Sequence, residues 1–450
     1  MLKRYSTKEE TAVWSDDSKY GAWLIVELAV LQARVIMGKI PKGIYERIVA
    51  QAKFTVERIE ELDKKMKHDL LAFVMTVQEY LDGDLKKYFH EDITSYDTEE
   101  PAMALLIRQA MKIIFEELRA LEIAVAEKAL RYQYLIKIQR THGQHAVPST
   151  LGLENLWWYD ALHRQEKFLK AADREIRHTK ISGAVGTFEG NLSPELEQEA
   201  LNILKLKPAP ISMQIILRDR HAHVINALAV LAGVVENIAL NIRLMGQTEI
   251  RELQEPFGKD QKGSSIMPHK KNTILSENLS GLARLLRSYA TAALENIPTW
   301  SGRDISHSSV ERVIFPDAFN LAHFMLRRTR GLIEGLVVNE KQIERNLNLT
   351  RGTIFSPDVK KMFLDHGYDP EAAYRIAQQG AFEASENDRN YLDVLCERED
   401  VARDLVEPLR ELFDFKKKVR YVDEVFNRFA KNPNMIRAKK NSRRKVKNKL

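Results

Sequence analysis

One cysteine in 450 residues, Cys396, excludes an intrachain disulfide and leaves no cysteine cluster for zinc. That usage fits a reducing compartment. No apolar run approaches the roughly 18 residues that span a bilayer, and the opening MLKRYSTKEE is too polar for a secretory signal, so a cytoplasmic location and no membrane partner are expected. Alternating strand patterns are sparse and no internal repeat is evident. Acid is missing from one place: residues 431–450, KNPNMIRAKKNSRRKVKNKL, hold nine Lys/Arg and no Asp or Glu. Removing those nine from the formal net charge of +6 leaves about −3 on residues 1–430, so the basicity belongs to a tail and the body is near neutral. The tail reads as a solvated, disordered extension, the alternative being an RNA- or DNA-binding arm. A nucleic-acid partner is therefore expected nowhere else.

What is present is helical period. Apolar residues recur at three- and four-residue spacing through Ile107, Met111, Ile114, Leu118, Leu121 and Val125, through Val224 to Met245, and through Leu275 to Ala293. Seams of that length favour long helices crossing at small angles. The fold class is mainly α, with a long central helical bundle. A 450-residue chain exceeds a single core. We divide it into an N-terminal helical region 1–93, a central long-helix region 94–345, a C-terminal helical region 346–430 and the tail 431–450. Polar segments 90–101, 140–152, 180–192, 256–273 and 301–317 read as loops at bundle ends.

Some of these segments could carry chemistry. GKDQKGSSIMPHKKNTILSEN, residues 258–278, has Gly263 for unusual backbone angles, Lys262, Lys270 and Lys271 for charge, and a helix starting near Thr273 whose first N–H groups would be left to face an anion. Ser264 or Ser265 could act there as a base if donors and cations stabilise its alkoxide; the alternative is a solvated linker. His142 sits beside Gly143, and an imidazole titrates where proton exchange near neutrality needs it. Glu277 lies off the Leu275/Leu279/Leu282 seam, as a solvated residue or a carboxylate partner. Arg303, Ser306, His307, Ser308 and Arg312 gather donors with the forked geometry that suits phosphate. The pairs His142/His145 and His221/His223 lack further ligands nearby in sequence, so no metal site is expected.

Gly263, Ser264, Ser265, Met267, Pro268, Lys270 and Asn272 match the signature loop of the fumarase/aspartase superfamily, and the chain resembles that family from residue 3 to about 425. Thr273 stands where Pro is common. KRYS, KMKHDLLAF, HEDITSYD, RTHGQHAVPSTLG, ISGAVGTF, RDRHA and RDISHSSVERVIFPDA are similar to the branch that splits fumarate from succinylated purine nucleotides, with Asp92, Gln139 and Ser301-Gly302 departing from the usual pattern. The resemblance implies an α-helical homotetramer with active sites shared between subunits, small purine-nucleotide substrates and no cofactor. It makes Ser264 the base, His142 the general acid, Glu277 its partner and Lys270 a stabiliser of developing charge. It assigns Arg4, Tyr5, Arg303, Ser308 and Arg312 to a nucleotide phosphate. His68, Asp69 and His90 line the phosphate and succinyl ends, and Thr94, Ser95, Gln214 and Asn278, with Lys270, hold the succinyl carboxylates. The rivals are other fumarate-releasing relatives, such as an argininosuccinate lyase or a carboxymuconate cycloisomerase, and, from another class, an RNA-binding helical protein.

Overall fold

The computed structural model describes residues 2–447. The elements that position the site are, in chain order, helices α1 (Asp16–Ile36), α2 (Asp69–Tyr80) and α3 (Ser95–Arg131), the hairpin β1 (Ile136–Thr141) and β2 (Gln144–Thr150), then α4 (Leu151–Glu175), α5 (Asp219–Met245), α6 (Ile274–Glu295), α7 (Ser306–Gly335) and α8 (Pro433–Lys447). The remaining β pairings are two-residue bridges. The fold is mainly α, as the periodicities require.

Two compact units form. Unit 1 comprises residues 1–119, 162–236 and 279–328; unit 2 comprises 120–161, 237–278 and 329–450. Each of the five long helices, α3 to α7, gives part of its length to each unit. The three expected seams are buried: Ile107, Ile114, Leu118, Val125, Val224, Leu228, Ile242 and Leu286 are all fully enclosed. Removing such side chains from water is the main stabilising term, about 1.5–3 kcal/mol each. The helices between residues 356 and 412 close a separate core in unit 2 around Phe363, Tyr391 and Leu395.

Several expectations need correction. α5 is long and apolar enough to cross a membrane, with a mean hydropathy of 1.7 over its most apolar window. It packs as a core helix, its seam from Val224 to Met245 buried. Segment 140–152 is not a loop: β1 and β2 pair antiparallel with a shift between Ile138 and Arg140. Only His142 and Gly143 lie between the paired Thr141 and Gln144, and both have positive φ, 54° and 78°, as a type I′ hairpin turn requires. The loop at 301–317 ends early, because the Asp304 side chain accepts from the Ser306 N–H at 2.7 Å and starts α7 there. In 90–101, helix begins at Ser95. The basic tail is helical as far as Lys447, its last three residues lying outside the described ones: α8 buries Met435 and Ala438, and Asn434 and Asn441 donate to Glu122 and Glu127 of α3 at 2.7 and 2.9 Å. One small apolar stripe and two amides supply anchors that a charge count overlooks.

Candidate active site

The sequence-derived residues fall into two groups, one in each unit. In unit 1, His68 caps α2, its Nδ1 accepting the Leu71 N–H at 3.2 Å. That contact leaves Nε2 as the protonated nitrogen of the neutral ring. Asp69, next in sequence, binds Arg312 at 2.7 Å and Lys19 at 3.2 Å. Burial would raise this carboxyl, but Lys19 and Arg312 together hold it below the usual range. Ser308 and Arg312 share one face of α7 at a four-residue spacing, with Arg312 Nε 3.3 Å from Ser308 Oγ. The Arg303 guanidinium lies 4.1 Å from the centre of the Tyr96 ring and donates to Gln214 at 3.1 Å, while its buried Nε has no hydrogen-bond partner among the described residues. His68, Asp69, Ser95, Arg303, Ser308 and Arg312 line one cavity of about 290 Å³.

A neighbouring cavity of about 240 Å³ shares Tyr96, Glu99, Ser308 and Arg312 with the first. Its inner wall is ionic. The fully buried Arg218 binds Glu311 through two nitrogens at 2.8 and 2.9 Å and pairs with Glu100 through a third. His307, enclosed beside it, is pulled down to about 4 by burial and by the cations Arg218 and Arg303, so it stays neutral and meets the Tyr96 hydroxyl at 3.0 Å.

The adjoining loop is tied by Asp97, the last residue of HEDITSYD, to Lys180, which lies outside the quoted motifs. Asp97 forms a fully buried ion pair with Lys180 at 2.7 Å, accepts the Thr94 N–H at 2.9 Å and accepts the Ser182 N–H at 2.9 Å. Thr94 is thereby fixed beside Ser95. His90 contacts the buried Glu27 at 2.8 Å; burial opposes its charged form, yet Glu27 outweighs that and shifts the ring upward. An imidazolium there suits an anionic ligand. Asp92, one of the departures from the family pattern, has φ 58° and accepts the Asn191 N–H at 3.1 Å. Ser301, another, has φ 49°. Both occupy left-handed positions that glycine adopts more readily, and Asp92 offsets the strain with its hydrogen bonds. Arg4 and Tyr5 line neither cavity. Arg4 is exposed, and Tyr5 packs edge-on against Phe324 at 5.5 Å, about 18 Å along α7 from Arg312.

Unit 2 holds the other group. His142 stands exposed at the tip of the β1–β2 hairpin, whose base buries Ile138 against Leu347 and Phe355. Arg140, two residues before it, is clamped to Glu252 at 2.7 Å. The signature loop folds on itself: Asn272 donates to the Gly263 carbonyl at 2.9 Å. Gly263 does not adopt a positive φ, contrary to expectation; a Cβ there would lie 1.9 Å from the Lys270 carbonyl oxygen, so the requirement is close approach. Ser264 Oγ accepts two backbone N–H groups, from Met267 at 3.1 Å and Ile266 at 3.3 Å. Donors on that oxygen favour its anionic form, as a serine base needs. The neighbouring Ser265 has no such pair among the described residues. The expectation of open amides at the start of α6 is corrected, because the buried Glu255 carboxylate takes the Leu275 and Ser276 N–H groups at 3.0 and 2.8 Å. Lys270 and Glu277 are exposed, the latter 3.5 Å from Thr273 Oγ1, and Asn278 is half-buried.

The family pattern described as Lyase matches residues 3–286. A fumarate lyase from Mesorhizobium superposes with a TM-score of 0.84 at 24% identity, covering 93% of this chain and 96% of that one. A β-carboxy-cis,cis-muconate cycloisomerase from Acinetobacter calcoaceticus gives 0.83 at 20% identity, covering 97% and 98%. These establish the fold. Sequence resolves the branch: adenylosuccinate lyases from Thermotoga maritima, Synechocystis and Bacillus subtilis are 41, 39 and 39% identical, each aligned over 95–96% of this chain and 99–100% of their own. The chain belongs to the adenylosuccinate lyase family.

Proposed function

We propose that this chain eliminates fumarate from adenylosuccinate, leaving AMP, and from the succinylaminoimidazole carboxamide ribotide of purine synthesis, without a cofactor and in the cytoplasm. The near-full-length identity to adenylosuccinate lyases carries this reading. The unit 1 cavity supports it, since Arg303, Arg312, Ser308 and the Nε2 of His68 offer a phosphate more donors than a substrate without one would use. Ser264 takes the Cβ proton, and the resulting carbanion spreads its charge into the adjacent carboxylate. His142 protonates the departing nitrogen, so the C–N bond breaks without an expelled anion. Lys270 stabilises the developing charge, Glu277 supports His142, and Thr94, Ser95, Gln214 and Asn278 hold the carboxylates.

The working unit we propose is a homotetramer in which several subunits complete each site. Val230, Leu240, Leu244, Leu285 and Leu294 on α5 and α6 are 44–53% exposed, apolar side chains that assembly would cover. Within it, residues 1–93, 94–345 and 346–430 are the N-terminal, long-helix and C-terminal domains. The test is direct: purified protein mixed with adenylosuccinate should release fumarate and AMP in equal amounts. Absence of fumarate from both purine substrates refutes the assignment.

A further inference from the structure

We propose that Glu99 acts as a neutral carboxylic acid that donates a hydrogen bond to the phosphate of the bound nucleotide. The inference rests on the function proposed above and adds a residue to its binding site. Glu99 lies one turn beyond Ser95 on α3, so both side chains share a helix face. It lines both cavities, beside Ser308 and Arg312. The carboxylates around it are engaged, Asp69 by Arg312 and Lys19, and Glu100 and Glu311 by Arg218. Glu99 alone of these four has no hydrogen bond or ion pair among the described residues.

Its surroundings decide its charge. Burial pushes this carboxyl up to about 7, and the Asp69 charge reinforces that; Arg312, Lys19 and Arg303 oppose it. Asp16 and Lys19 reach the same space from α1, and Asp63, Lys67 and His68 from the approach to α2. A phosphate monoester carries nearly two negative charges above its second pKa of about 6. Beside it an ionised Glu99 would repel, whereas the protonated form supplies an O–H donor. An arriving phosphate therefore raises the Glu99 pKa further, and binding near or above pH 7 takes up a proton.

AMP is the probe. If only protonated Glu99 binds it, AMP affinity should weaken about fivefold from pH 7 to 8, beyond the range in which phosphate itself titrates. Glu99→Gln keeps a donor that does not titrate, so it should bind AMP at pH 7 within about twofold of wild type and lose the pH slope; Glu99→Ala should bind more weakly at pH 7. In turnover, KM should follow the same pattern while kcat stays near wild type, because Glu99 takes no part in the proton transfers. Calorimetry of AMP binding to the unmodified protein, in two pH 7.5 buffers of different ionisation heat, should show proton uptake and needs no variant. No proton uptake, or a Gln variant with the wild-type slope, overturns the role of Glu99 while leaving the nucleotide site intact. Failure of the wild type both to bind AMP and to release fumarate overturns both proposals.

Discussion

Substituting Gly263 by alanine is the smallest perturbation that tests the signature loop. The new Cβ would meet the Lys270 carbonyl oxygen at 1.9 Å, where a carbon and an oxygen need more than about 3 Å. The obstacle is backbone rather than a side-chain end, so the loop must open by about 1 Å or more. That movement separates the Gly263 carbonyl from Asn272 and shifts Ser264, the next residue, relative to the N–H groups that its oxygen accepts. A misplacement of about 1 Å at a reacting atom lowers rate on the order of a hundredfold, equivalent to about 2.7 kcal/mol of barrier. Gly263→Ala should therefore lose about 10²-fold in kcat. KM should change less than kcat, because the residues proposed to bind the phosphate lie in unit 1. Helix content should be unchanged by circular dichroism, since the loop contributes no helix. Asn272→Ala, which loses one hydrogen bond and adds no clash, should be milder, at about 0.5–1.5 kcal/mol. A Gly263→Ala enzyme with wild-type kcat would refute the claim that close approach sets the geometry of Ser264.

Further outcomes follow from other parts of the molecule. Glu10 is fully buried with neither oxygen hydrogen-bonded among the described residues, and burial, opposed by the nearby Trp14 indole and reinforced by Glu9, pushes its carboxyl up to about 8 from an ordinary 4.5. A raised folded pKa stabilises below the unfolded value, and that stability is lost as pH rises through the folded one. Wild type should thus lose up to about 2.7 kcal/mol relative to Glu10→Gln between pH 6 and 8, read from urea midpoints; parallel curves reject a protonated Glu10. Mixing inactive His142→Ala with inactive Ser264→Ala subunits under exchange should restore some activity if sites are shared. Verified mixed tetramers that stay inactive mean that each chain builds its own site. Truncation after residue 430 exposes what Met435 and Ala438 cover and removes the amides on Glu122 and Glu127, so melting temperature should fall while kcat and KM hold. A collapse of kcat at a temperature where the shortened protein is folded would place α8 in the site.

The long seams were legible because a buried helix face repeats its apolar residues over many turns. The signature loop was legible for a different reason: its residue types are fixed by local chemistry. The hairpin was missed because Pro148 and the polar run QRTHGQ mask alternation, although His-Gly at two consecutive left-handed positions is itself a turn signal. Likewise, composition favoured open amides at the start of α6, but a carboxylate about twenty residues upstream reaches them. The Asp97–Lys180 pair has the same origin, joining residues 83 positions apart that no local pattern connects. Glu99 lies two residues beyond HEDITSYD, but its meaning depends on Asp69 and Arg312, which only the fold brings near it.

The passage of α3 to α7 through both units constrains how such a chain can change length. One residue inserted into a helix turns everything beyond it by about 100° and advances it by about 1.5 Å. In a helix that serves two cores, the near seam would stay seated while the far seam swung outward: an insertion early in α5, for instance, would leave its first turns in place and rotate Ile238, Ile242 and Met245 away from the interior. Compensation would require the same slip in the neighbouring helices. Variation in length should therefore collect in the segments between helices, and the helices themselves should act as rulers whose residue count tolerates as little change as a catalytic side chain.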